Sequence, residues 1–201
     1  MRNKPLSADK QASFTLSEQV NFAYGWQSLA HTRWLPFALL TLGTASNVLY
    51  AHTPLVAFAA MSGVMLNRRR AIATALLIWL VNQAVGFGVR GYPLSATAFT
   101  WGALMGVGTL LVVTFASIRP GFGQSAWAGH FSWVAIALIS GFVLYQGPIL
   151  LAYPAIADGH FMGWEIIAKL FVKQVMWTGA IALGHGLALW LSTIRIDSMR
   201  R

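Results

Sequence analysis

Residues 54–93 read PLVAFAAMSGVMLNRRRAIATALLIWLVNQAVGFGVRGYP, and the fold class follows from how that stretch divides. Two uncharged runs, 54–66 and 71–89, are separated by Asn67 and the triplet Arg68, Arg69 and Arg70. Three consecutive guanidinium groups are costly to bury in hydrocarbon, so the triplet marks an interface and each run forms its own helix. The second run closes at Arg90, Gly91, Tyr92 and Pro93, a turn-forming string with an interfacial aromatic. The first is short for a membrane span, which takes about 20 residues. Its start reads Thr53-Pro54, a capping hydroxyl followed by a proline suited to a first helical turn.

Extending this reading to the rest of the chain gives six spans, over about 34–50, 54–66, 71–89, 95–118, 131–153 and 164–194. The fifth is expected to break at Gly147-Pro148, and the sixth is long enough to tilt or protrude. Composition agrees, with 57% hydrophobic and 9% charged residues among 201, where a soluble domain carries roughly a quarter charged. Three regions follow: a cytoplasmic segment 1–33, a transmembrane domain 34–195 and a basic tail 196–201. Within the first, Leu16, Val20, Phe22, Ala23, Trp26 and Leu29 have partial helical periodicity, fitting an interfacial helix or a docking surface. No removable signal peptide is expected, because the start is polar.

Orientation comes from Lys and Arg. Arg2, Lys4, Lys10, Arg33, the triplet, Arg119, Arg195, Arg200 and Arg201 fall on one side of the six-span arrangement, while Arg90, Lys169 and Lys173 fall on the other. The positive side is cytoplasmic. The expectation is an all-α integral membrane protein, a bundle of six transmembrane helices with both termini cytoplasmic, multi-pass in the cell inner (cytoplasmic) membrane.

Several function classes are disfavoured. The net charge of +9 sits in short clusters between apolar runs, not on a basic face with stacking aromatics, so no nucleic-acid partner is expected. The absence of cysteine removes disulfides and thiolate chemistry. Ser62-Gly63 and Ser140-Gly141 lack a Gly-x-Ser-x-Gly frame, and no HExxH occurs. No enzyme, catalytic residue, cofactor or metal site is expected, and a surface enzyme using Asp158, His160 and Glu165 is the weakest reading. No phosphate-binding Gly-Lys-Ser/Thr loop occurs, so any ATP dependence belongs to an ATPase-containing energising module acting as partner.

Polar residues inside the expected spans crowd the outer half. Asn82 and Gln83 lie past the middle of the third span, with Arg90 and Tyr92 beyond; Trp101 opens the fourth, Tyr145 and Gln146 precede Pro148, and Lys173, Gln174 and Trp177 lie early in the sixth. An outer cavity lined by amides and aromatics suits capture of a small polar solute. The substrate-binding set is Asn82, Gln83, Arg90, Tyr92, Trp101, Tyr145, Gln146, Lys173 and Trp177. Glu165, Lys169 and Lys173 at i, i+4 and i+8 fit either this site or a stabilising stripe on an overlong helix. His185 reads as structural, since no second ligand is expected at its depth. Gly102/Gly106 and Ala180/Gly184/Ala188 permit close helix approach or partner binding.

Length, six helices, cytoplasmic termini, a short second helix and an outer pocket resemble the substrate-binding S components of energy-coupling-factor vitamin transporters, over residues 34–195. The stretch Trp79 to Pro93, WLVNQAVGFGVRGYP, resembles the third-helix region of BtuM-type vitamin B12 transporters. That resemblance implies a vitamin-like solute such as a corrinoid, with Arg90 and Tyr92 as pocket residues. In that family a cysteine before the tyrosine ligates cobalt, and this chain has none; a corrinoid would then be held by surrounding contacts or by a histidine such as His52, or the solute is a different vitamin. The other reading is a non-transporting membrane subunit or assembly factor.

Overall fold

The computed structural model describes residues 8–49, 53–156 and 163–199, with side chains over 19–47, 53–156 and 163–194. His52, Asp158 and His160 lie outside the described residues. Every described regular element is helical: α1 (Ala8–Ala30), α2 (Trp34–Leu49), α3 (Leu55–Met65), α4 (Arg68–Gly88), α5 (Ala96–Ala116), α6 (Phe122–Ser125), α7 (Trp127–Ile156) and α8 (Trp164–Met199). Four of them, α4, α5, α7 and α8, are long and apolar enough to cross a membrane. Leu151 (85% exposed) and Leu183 (72%) point outward from two of these, a surface suited to lipid and unsuited to water. The chain has the features of a multi-pass membrane protein.

The short helix holds the bundle together. All eleven residues of α3 are buried, and it packs against α4, α5, α7 and α8, with smaller contacts to α1 and α2. At 1.5 Å per residue it is about 16 Å long, roughly half a hydrocarbon core. Small residues let its neighbours approach: a Cβ on Gly63 would come within 2.5 Å of the Ala116 Cβ and 2.9 Å of the Val113 carbonyl oxygen of α5. The chain reverses after α3 because Asn67 caps α4, its side-chain oxygen accepting from the Arg70 amide at 3.1 Å. The arginine triplet therefore forms the first turn of α4 instead of preceding it.

Helices α2 and α4 start at one end of the bundle and α3, α5 and α8 at the other. Arg33, Arg68, Arg69, Arg70 and Arg119 collect at the first, called here the arginine end; Arg90, Lys169 and Lys173 lie toward the second, the cavity end. Helix α1 packs on α8, α6 and α3, burying Phe22, Trp26, Leu29 and Ala30 in the common core. Its periodic apolar residues Phe22, Trp26 and Leu29 are thus the ones that pack against the other helices. Arg119 braces this corner, its Nε donating to the Gly63 carbonyl at 2.8 Å and its guanidinium lying 5.2 Å from the Trp26 ring centroid. Burial lowers its pKa from the usual guanidinium range to about 10.

Two expectations are corrected. Helix α7 runs unbroken through Pro148 and Pro154. A proline clashes with the Cβ of the residue before it, and Gly147 has none; neighbouring helices in a bundle also tolerate the missing amide. Thr53 does not cap α3, whose N-cap is Pro54 without a side-chain hydrogen bond. The hydroxyl is used elsewhere, as described next.

Candidate functional site

At the cavity end the helices part around a space of about 390 Å3. Its floor is the start of α3, where Thr53 and Leu55 line it. Amide side chains come from three helices: Asn82 and Gln83 from α4, Gln146 from α7 and Gln174 from α8. Aromatic rings form much of the wall, among them Phe87, Tyr92, Trp101, Tyr145 and Tyr153, and Met105, Phe142 and Ile149 complete its apolar part. No Asp, Glu, His, Lys or Arg is among the described lining residues.

A polar knot fixes the floor. Thr53 Oγ1 lies 2.9 Å from Asn82 Oδ1 and in close hydrogen-bond contact with Asn47 Oδ1. A hydroxyl carries one hydrogen, so it donates to one amide oxygen and accepts from the other residue's NH2, the two ends of an Asn amide being interchangeable by geometry. Asn47 Nδ2 also donates to the Gly43 carbonyl at 3.2 Å. Gln174 Oε1 accepts from the backbone amide of Ala57 at 2.9 Å. That amide belongs to the first turn of α3 and has no intrahelical partner, so α8 supplies the cap that Thr53 does not.

The upper wall depends on glycines. Gly91 has φ +67°, and the turn it permits lets the Tyr92 amide donate to the Gly86 carbonyl at 3.1 Å. Tyr92 thus folds back over its own helix, and a Cβ on Gly86 would meet its ring at 2.7 Å. Gln83 rests on Gly102 and Tyr145 on Gly108, each close enough that a Cβ would intrude at 2.6 and 2.7 Å. Trp79 Nε1 donates to the Gly102 carbonyl at 2.9 Å. The Gln83 Nε2 is buried and has no hydrogen-bond partner, leaving a donor available to a bound molecule.

Six of the residues expected from sequence, Asn82, Gln83, Tyr92, Trp101, Tyr145 and Gln146, meet at this cavity. Arg90, Lys173 and Trp177 do not line it. The Arg90 guanidinium turns to the Asn47 carbonyl, closing the end of α4 onto α2. Trp177 packs on Phe58 at 5.4 Å between ring centroids, and Lys173 is half-buried beside Gln174. Lys169 pairs with Glu165 at 2.7 Å on an exposed face, where such pairs contribute little. Thr53, Tyr153 and Gln174 were absent from the expected binding set. Gln174 had a visible signal, an amide within an apolar helix; Thr53 read as an ordinary cap.

Away from the cavity, His185 Nδ1 lies 3.2 Å from His130 Nε2, and both side chains are buried. This corrects the expectation that His185 has no histidine at its depth. His130 fell ahead of the expected fifth span, whereas α7 begins at Trp127 and carries it inward. One imidazole donates and the other accepts. No group of three or more metal-ligating side chains occurs among the described residues.

Comparison with protein families, with characterised proteins and with solved structures finds no match to this chain.

Proposed function

We propose that this chain is a substrate-binding membrane transporter of the S-component type, taking up a small vitamin-like solute. The observation that carries this reading is the 390 Å3 cavity and its lining of amides and aromatic rings. Such a lining hydrogen-bonds a heterocycle at its edge and packs its faces. The missing described charge favours an uncharged solute, since an ion would sit in the cavity without a partner. The volume lies toward the small end of the roughly 300–1,000 Å3 typical of ligand sites, which favours a compact ring system over an enclosed corrinoid. With the arginine end in the cytoplasm, as the Lys and Arg distribution indicates, the cavity opens outward. In this arrangement the six spans are α2–α5, α7 and α8, with α3 as a half-length plug beneath the solute and α1 packed against them, and both termini are cytoplasmic. Energy comes from partner ATPase subunits or from the solute gradient.

The test is equilibrium binding to detergent-purified protein of riboflavin, thiamine, biotin, cobinamide and cobalamin. Saturable binding of an uncharged member is expected, with riboflavin favoured over cationic thiamine and anionic biotin. Absence of binding to all five, together with a stoichiometric non-ATPase protein co-purifying from membranes, would instead identify a non-transporting membrane subunit.

A further inference from the structure

A second hollow, of about 360 Å3, opens on the outside of the bundle between α2 and α4. The two helices run parallel and touch toward the cavity end, where a Cβ on Gly43 would meet Ile78 at 2.9 Å. Toward the arginine end a trough separates them. Pro36, Phe37 and Leu40 form one wall, Ala73, Thr74 and Leu77 the other, and Arg33 and Arg70 stand at its head. Phe37 and Leu77 are exposed (68% and 47%), so the trough faces whatever surrounds the protein.

Charge complementarity specifies the occupant. Arg70 Nη1 donates to the carbonyls of His31 at 2.8 Å and Thr32 at 3.2 Å, which fixes the turn carrying Arg33. The guanidinium groups of Arg33, Arg68 and Arg69 form no described hydrogen bond or ion pair, and the one described salt bridge, Lys169 with Glu165, is at the opposite end. The positive ends of α2 and α4 point to the same place. A cluster of cations above an apolar trough between membrane helices matches an anion covalently joined to a hydrocarbon chain.

We infer that the α2–α4 trough is a binding site for an anionic phospholipid, its phosphate between Arg33 and Arg70 and one acyl chain along Phe37, Leu40 and Leu77. The site is separate from the solute cavity and stands or falls independently of the transport reading.

Native mass spectrometry of the detergent-purified full chain, exposed to equal phosphatidylglycerol and phosphatidylcholine of matched acyl chains, reads the selectivity. The wild type is expected to retain phosphatidylglycerol preferentially. Arg33→Gln should reduce the ratio of the two adducts roughly five-fold, as expected for the loss of one cation at about 1 kcal/mol. Leu77→Trp, which fills the trough without changing charge, should lower retention of phosphatidylglycerol. Equal retention of both lipids by the wild type would overturn the proposal, as would a preference unchanged in both variants. Parallel thermal unfolding separates the lipid from a free anion: phosphatidylglycerol should raise the midpoint, and an equal rise with inorganic phosphate alone would overturn the lipid assignment.

Discussion

At the residue scale, side-chain direction decides the site. Asn82 and Gln83 were legible in the sequence because amides inside an apolar span are costly unless used, and both reach the cavity. Depth alone does not give direction. Lys173 and Gln174 differ by one position, about 100° around a helix, and the amide faces the cavity. Arg90 sits at the expected depth, yet its long side chain reaches the Asn47 carbonyl. Gly86→Ala is expected to displace the Tyr92 ring that lies 2.7 Å from the added Cβ. Because Tyr92 is 39% exposed it can swing outward, so solute affinity should fall several-fold while the thermal midpoint changes little. Side-by-side calorimetry and thermal unfolding check this; a large loss of stability with unchanged affinity would show that the ring belongs to the packing instead.

Helix α3 is the feature the sequence described least well. A short apolar run between Pro54 and Asn67 was plain, but its burial on every side depends on contacts from six other helices, and a local pattern cannot carry that information. The proline in α7 was misread for a similar reason, since the surrounding bundle decides whether Pro148 breaks a helix. Two substitutions probe the plug. Gly63→Val should force α3 and α5 apart at the Ala116 contact and cost about 1–3 kcal/mol, read as a lowered unfolding midpoint. Gln174→Leu should leave the Ala57 amide without its partner at a cost of about 1–3 kcal/mol, while also weakening solute binding. Stability equal to wild type in Gln174→Leu would remove the interhelical cap from this account.

For the whole molecule, the two ends have different chemistry. Among the described residues, the placement of Arg33, Arg68, Arg69, Arg70 and Arg119 at one end and of Arg90, Lys169 and Lys173 toward the other was legible, because it depends on where the apolar runs stop. The cavity was legible as an excess of polar residues toward one end, whereas its volume and the glycines that make room for Gln83 and Tyr145 come from helix packing. Since the chain contains no cysteine, single cysteines report orientation cleanly. In intact cells Leu94→Cys, at the cavity end and 79% exposed, should react with a membrane-impermeant maleimide. Ile118→Cys, at the arginine end and 65% exposed, should react only after permeabilisation, and the reverse pattern would invert the orientation. The central functional claim, an uncharged ring-bearing solute held by the α4 amides, is tested most directly by calorimetric titration of riboflavin, thiamine and biotin into wild type and the Asn82→Ala/Gln83→Leu double variant. The account predicts one-site binding of riboflavin alone, weakened about ten-fold or more by loss of two hydrogen-bonding side chains; preferential binding of a charged member, or affinity unchanged in the double variant, would contradict it.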